Sequence, residues 1–249
     1  MTRVTAAHAF PQVPRPPDWS VDWSAVEAAF PELRELAGCR QDARWHAEGD
    51  VLTHTRLVVD ALCDDPDWRA LDAGPRALVF LAAVLHDIEK PATTREQDGR
   101  IVSPHHAPRG ARRARWLLAD RFADGGQALA LTDREAVVQL VRRHTAPMHV
   151  PDRADPARAV ITLSHQAHCQ RLAILARADL RGRRAADVDE KLAAVDLFAD
   201  LARAQGCWDR PRPFASPQTR FAYFQGRDVA PEVALYDDTW GEVFLMSGL

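Results

Sequence analysis

His86 and Asp87 stand side by side at the end of an unbroken apolar run, ALVFLAAVL, from Ala77 to Leu85. Such a run reads as buried, and an ionisable pair carried into a core without partners is costly. Three further residues occupy helix-like positions with no obvious solvent face: His54 in DVLTHT, His144 in VRRHT and Asp179 in ARADLRGR. A cation gathering imidazoles and carboxylates from separate helices gives these residues a reason to be inside. Mixed nitrogen and oxygen donors suit Mn, Fe, Co, Ni or Zn, and the imidazoles lower the preference for Mg. The competing reading makes His54 and His144 hydrogen-bonded core histidines and Asp179 a helix-end charge.

The elements that must position these groups are expected to be helices. Ser24, with Glu27 three residues on, suggests a capped start, and Gly38 a stop. Further helices are expected at about 50–63, 75–88, 105 to the Asp124-Gly125-Gly126 stop, 133–144, 156–179 and 185–204. Residues 1–20, with prolines at 11, 14, 16 and 17, read as an extended arm. No period-2 alternation stands out in the first 205 residues, so the fold class is all-α. The expected organisation is an N-terminal arm (1–23), a helical domain (24–205) and a proline- and aromatic-rich connector (206–249).

Composition excludes several classes. The chain has 249 residues and is 47% hydrophobic, enough for a real core and too much for a disordered chain. Lys plus Arg number 32 against 35 Asp plus Glu, a net charge of −3, which argues against nucleic-acid binding by bulk positive charge. Cys39, Cys63, Cys169 and Cys207 form no CxxC pair and suggest free thiols in a reducing compartment. The N-terminus has no apolar signal core, and the Ala77–Leu85 run is too short to cross a bilayer. A cytoplasmic protein with no membrane partner is expected. The seven tryptophans read as packing residues, none placed like a base-stacking platform.

His54, the His86-Asp87 pair and Asp179 resemble the H…HD…D signature of the HD phosphohydrolase superfamily. The likeness covers about Arg44 to Arg183. The blocks WHAEGDVLTHT, LHDIEKPAT, HHAPRGA and ADLRGR are similar, in order, to the HD domain of bacterial CCA-adding tRNA nucleotidyltransferases. They also resemble the HD module of the HD-Pnk RNA end-healing proteins, where it precedes a polynucleotide kinase. The resemblance implies an HD helical bundle with His54, His86, Asp87 and Asp179 as ligands of a first divalent metal. It implies that His106 and His144 help hold a second ion, with Asp87 able to bridge the two, and that Lys90 contacts the scissile phosphate. His46, Arg109 and Arg183 lie in matched blocks and are expected to bind phosphate or ribose, whereas Arg112, Arg113 and Arg115 read as a solvated helix face. One departure is Glu89, where the family commonly has glycine, which puts the turn after the motif in doubt.

The activity so implied is metal-dependent removal of a 2′,3′-cyclic phosphate, 2′-phosphate or 3′-phosphate from RNA ends. Asp87, Lys90 and His106 are the expected catalytic residues, and one or two ions of Mn, Co, Ni, Zn or Fe the cofactor. His106 or His144 could otherwise serve as general acid for the leaving alkoxide. Alternatives are hydrolysis of free nucleotides, di-iron oxygenase chemistry, or a non-catalytic nucleotide-sensing role. Near the C-terminus, TWGEVFLMSGL reads as a strand, Glu242 to Met246, running into a Ser-Gly turn. In the HD-Pnk relatives a GxxxxGK(S/T) phosphate loop follows there, so the chain is expected to be an HD module lacking its P-loop kinase partner.

Overall fold

The helix carrying the apolar run forms the axis of the molecule. The computed structural model describes residues 2–121 and 127–226. In chain order the strands are β1 (Thr2–Val4), β2 (Arg95–Gln97), β3 (Arg100–Val102) and β4 (Gln127–Leu129). The helices are α1 (Ala6–Ala9), α2 (Trp23–Ala29), α3 (Val51–Asp64), α4 (Pro66–Arg69), α5 (Ala73–Leu85), α6 (Lys90–Thr93), α7 (His106–Arg121), α8 (Leu131–Arg143), α9 (Pro156–Ser164), α10 (Cys169–Arg181), α11 (Val188–Ala204) and α12 (Pro217–Phe224). The fold is therefore predominantly helical, as expected.

Every residue of α5 from Ala77 to Leu85 is buried. A helix apolar all round can only be satisfied by neighbours on every side, and α1, α3, α8 and α10 pack against it. Helix α3 starts at Asp50, whose carboxylate accepts the Thr53 N–H at 2.8 Å and the Gly38 N–H at 2.7 Å. That double bond caps the helix and ties it to the preceding turn, where Gly38 has φ of +73°.

The crossing of α3 and the end of α10 is unusually close. A Cβ at Gly182 would lie 2.6 Å from Val58 Cγ2 and 2.8 Å from its backbone nitrogen, so only glycine fits. His54 is one turn before Val58 and Asp179 three residues before Gly182, which makes this crossing the device that joins them. Gly182→Ala is expected to destabilise by about 1–3 kcal/mol through overpacking. Gly110, whose Cβ would find nothing nearer than 3.6 Å, should tolerate alanine with no loss. Urea unfolding of the two variants checks this opposite pair.

Several expectations need correction. The N-terminal segment is not an extended arm throughout. Thr2–Val4 pairs in parallel with Gln127–Leu129, and Ala6, Phe10 and Val13 are buried. Phe10 packs against Phe30 and Phe80 at centroid distances of 5.5 and 6.1 Å. The prolines end the short helix rather than keep the segment in solvent. The α2 cap is Asp22, not Ser24, and the helix stops before Pro31, where a 3₁₀ turn, Pro31–Leu36, leads to Gly38. The helix expected over 156–179 is two, α9 and α10, broken at His165–His168. Both strand pairs contain three-residue strands, too short for alternation to register. The connector carries α12, capped by Ser216 Oγ accepting the Thr219 N–H at 3.0 Å. The strand expected at Glu242–Met246 lies outside the described residues.

No helix among the described residues is long and apolar enough to cross a membrane.

Candidate metal centre

Helix α5 delivers His86 and Asp87 at its C-terminal end, where the chain must turn. Backbone bonds from Ile88 N to Leu85 O and from Lys90 N to Asp87 O close that turn at 3.2 and 2.9 Å. Glu89 takes φ of −104°, a conformation open to any residue, so glycine is not required there. Its carboxylate instead receives Arg109 at 3.0 Å and stands 3.7 Å from Arg113. Arg109 therefore pairs with Glu89 and is absent from the lining of the cavity above Asp87. The departure at Glu89 and the placement of Arg109 are one feature.

Three histidines enter the site in the same way. The Nδ1 atoms of His86, His106 and His144 each lie 2.8 Å from a carbonyl three residues earlier, on Ala83, Ser103 and Val141. A carbonyl can only accept, so each Nδ1 is the donor and each neutral ring keeps its lone pair on Nε2. His144 is buried and close to His86 and His106, with ring centroids 5.2 and 5.4 Å away. Burial, reinforced by those two rings, pushes its pKa down to about 3, so it is a neutral donor at neutral pH. Burial also lowers the His106 pKa, against the pull of Asp87.

His54 comes from the first turn of α3. Its Nε2 lies 3.1 Å from Asp179 Oδ1 and 3.8 Å from Asp87 Oδ2. Its Nδ1 lies 2.9 Å from Glu48 Oε1, which also takes His46 Nδ1 at 2.8 Å. Glu48 Oε2 accepts the Arg184 N–H at 2.8 Å. Burial works to raise the Glu48 pKa, but these hydrogen bonds hold it far below the ordinary carboxylate range. Glu48 was not singled out in the sequence; a glutamate in a loop before a helix reads there as solvated. The only signal was its place inside the WHAEGDVLTHT block.

Asp87 is the common member of the cluster. Donor atoms of His54, His86 and Asp87 lie within 4.8 Å of one another, and so do those of Asp87, His106 and His144. A further group, His46, Glu48 and His54, adjoins the first. Asp179 stands outside these groups, touching His54 and held by Arg183 through bonds of 3.1 and 2.6 Å. Asp87 and Asp179 are both buried, which favours the protonated acid. For Asp87 the charges of His86, Lys90 and His106 overcome this; for Asp179 the Arg183 guanidinium and His54 do so, and both pKa values fall well below the usual range. His86 is shifted upward because Asp87 and Asp179 outweigh its burial.

These groups fit a cation. Both oxygens of Asp87 and Nε2 of His86 are buried without a hydrogen-bond partner. Lys90 Nζ comes within 2.7 Å of Asp87 Oδ2, but its aligned hydrogen bond goes to Gln41 Oε1 at 2.7 Å. Buried polar atoms left this way are rare unless something else satisfies them. Three carboxylates, of Glu48, Asp87 and Asp179, face two fixed cations, Lys90 and Arg183. The buried His and Asp groups could thus hold metal ions. A cavity of about 260 Å³ opens above Asp87, lined among others by Trp45, His46, Lys90, His106, His144 and Arg183. Gln41 and Trp45 are further lining residues that sequence reasoning passed over.

No family model matches the chain. Part of it is similar to the multifunctional CCA protein of Pasteurella multocida (strain Pm70), with 33% identity over 85 residues. The aligned stretch is 33% of this chain and 18% of that protein, so the chain spans less than a fifth of its relative's length.

Proposed function

We propose that this protein is an HD-type metal-dependent phosphohydrolase, and that its substrates are RNA ends bearing a 2′,3′-cyclic phosphate, a 2′-phosphate or a 3′-phosphate. The observation carrying the first half is the buried Asp87 carboxylate, with no aligned hydrogen bond to either oxygen and Lys90 Nζ 2.7 Å from one of them, set between two histidine groups that share it. The partial similarity to a CCA protein and the H…HD…D residues support the same family. The substrate half rests on the sequence blocks alone, as does a P-loop kinase partner in the parent protein.

In this reading His54, His86, Asp87 and Asp179 would hold a first ion, and Asp87, His106 and His144 a second. A divalent ion there supplies an acidified water and polarises a phosphoryl oxygen. The rest belongs to the chain's own groups. Lys90 Nζ, on the cavity wall, donates to a non-bridging phosphate oxygen and offsets charge accumulating on it. Arg183 lines the same cavity while both its bonds hold Asp179, so it adds positive field as well as orienting that carboxylate. The Nδ1 bonds of His86, His106 and His144 fix their rings, so no imidazole need turn during the reaction.

The test is a substrate panel on the full chain, with and without chelator, reconstituted with Mn, Co, Ni, Zn or Fe. Release of phosphate or ring opening on cyclic-phosphate-ended oligonucleotides is expected, abolished by chelation and restored by at least one ion. Hydrolysis of free nucleotides alone would overturn the substrate, and metal-independent hydrolysis would overturn the mechanism.

A further inference from the structure

We infer that the groove continuing from the metal centre is a nucleoside subsite, in which the base of the substrate's phosphorylated nucleotide stacks on Trp45. The inference rests on the phosphohydrolase reading for the position of the phosphate, and on a separate set of contacts for the base. The central cavity shares Asp42, Trp45, Ile101 and Ser103 with a second groove of about 550 Å³, walled on its far side by the β2–β3 hairpin. The two spaces thus adjoin across these four residues, and together they are larger than a phosphate needs.

Trp45 is 38% exposed, in a molecule that completely buries Trp68. Leaving an indole in water at the mouth of a polar cavity forgoes burial that would otherwise stabilise the fold. The turn that carries the ring is held in place, and the Arg44 guanidinium lies 5.5 Å from the ring centroid, leaving the opposite face for a base. Asp42 O accepts the Trp45 and His46 N–H groups at 3.0 and 2.9 Å, and Asp42 Oδ1 accepts the Arg44 N–H at 3.0 Å. The other carboxylate oxygen takes Arg100 Nε of β3 at 3.1 Å, fastening the Trp45 turn to the hairpin. Ser103, at the root of that hairpin, gives its carbonyl to His106 Nδ1. Hydrogen bonds thus link the Trp45 turn to the groove wall, whose root at Ser103 holds a histidine of the metal centre.

The groove is mixed: the indole shares it with the apolar Ile101, Val102 and Pro104 and with polar side chains. Gln97, Asp98 and Arg100 offer donors and acceptors around an aromatic surface, the combination that suits a base with a π-face and a hydrogen-bonding edge. Stacking tolerates any base, so discrimination between bases should be weak. Trp45 would then be the exception to the expectation that no tryptophan is placed like a base-stacking platform.

Calorimetric titration of the purified full chain with adenosine 2′-monophosphate, and with base-free glycerol 2-phosphate, tests this. Trp45→Ala should raise the nucleotide Kd roughly five- to hundredfold and move the glycerol phosphate Kd less than about twofold on the same scale. Trp45→Phe should keep most of the nucleotide affinity. An oligonucleotide ending in the same 2′-phosphate should lose as much as the mononucleotide, because the terminal base is the one stacked. Equal losses for the base-free ligand, no loss for the nucleotide, or a loss confined to the oligonucleotide would each overturn the subsite. Chelator is present throughout, so binding is read without turnover; inactivity of the metal-loaded protein on every ester would sink the phosphohydrolase reading and leave these outcomes legible.

Discussion

Asp87→Asn is expected to strip the purified protein of its metal and to lower kcat/KM by on the order of 10³-fold or more. Asparagine preserves the shape and removes the charge. Asp87 is the only residue common to the His54–His86 group and the His106–His144 group, so its loss weakens both at once. One of its oxygens would become an amide nitrogen, a donor where a cation needs an electron pair. Removal of this carboxylate also leaves the positive charge of Lys90 without its nearest counter-charge. Uncompensated buried charge costs about 3–5 kcal/mol. Circular dichroism therefore has to accompany elemental analysis. A helical protein without metal and without activity is the expected result. A folded variant with full metal content and an unchanged rate would remove Asp87 from the centre.

The fold and the centre were legible to different depths, for physical reasons. Helix α5 and its terminal pair were readable because nine consecutive buried positions tolerate no other arrangement. Helix α3 was readable because Asp50 is a strong cap before a periodic segment. The break between α9 and α10 was not, since His165–His168 contains neither glycine nor proline. It is held open by tertiary bonds, Gln170 N to Trp208 O at 3.0 Å and Arg212 N to Ser164 Oγ at 3.1 Å. The prolines near the N-terminus misled because their local stiffness says nothing of Phe10, which the core claims. In the centre, His54, His86 and His144 could be found because imidazoles on apolar faces are conspicuous. Arg109 could not be placed, because its partner Glu89 stands where a glycine was expected and takes the guanidinium for itself.

Glu48→Gln is expected to weaken metal binding or turnover by about 10- to 100-fold, although Glu48 touches the first group only through His54. The carboxylate Oε1 sits 2.9 Å from His54 Nδ1 without an aligned hydrogen bond, an anion behind the ring whose Nε2 lies 3.1 Å from Asp179 and 3.8 Å from Asp87. A metal-ligating imidazole with an anion behind it is a stronger donor and has only one useful tautomer. Glutamine keeps the size and can still accept from one partner, but its amide end must then face Arg184 N–H or a histidine, donor against donor. The loop 46–48 is otherwise joined to the end of α10 by Ala47 N to Arg184 O at 3.1 Å, so the variant should remain folded. A purely structural role would lower the unfolding midpoint and leave the metal affinity of the folded fraction unchanged. The positioning role predicts the reverse: a modest change in midpoint, a weaker metal Kd, and an altered His54 Nδ1 nitrogen resonance in the metal-free protein. Glu48→Asp, one methylene shorter, keeps the charge and should recover part of the affinity. Full affinity in Glu48→Gln would mean that His54 is oriented by its packing in α3 alone, and that the anion behind it contributes nothing to the centre.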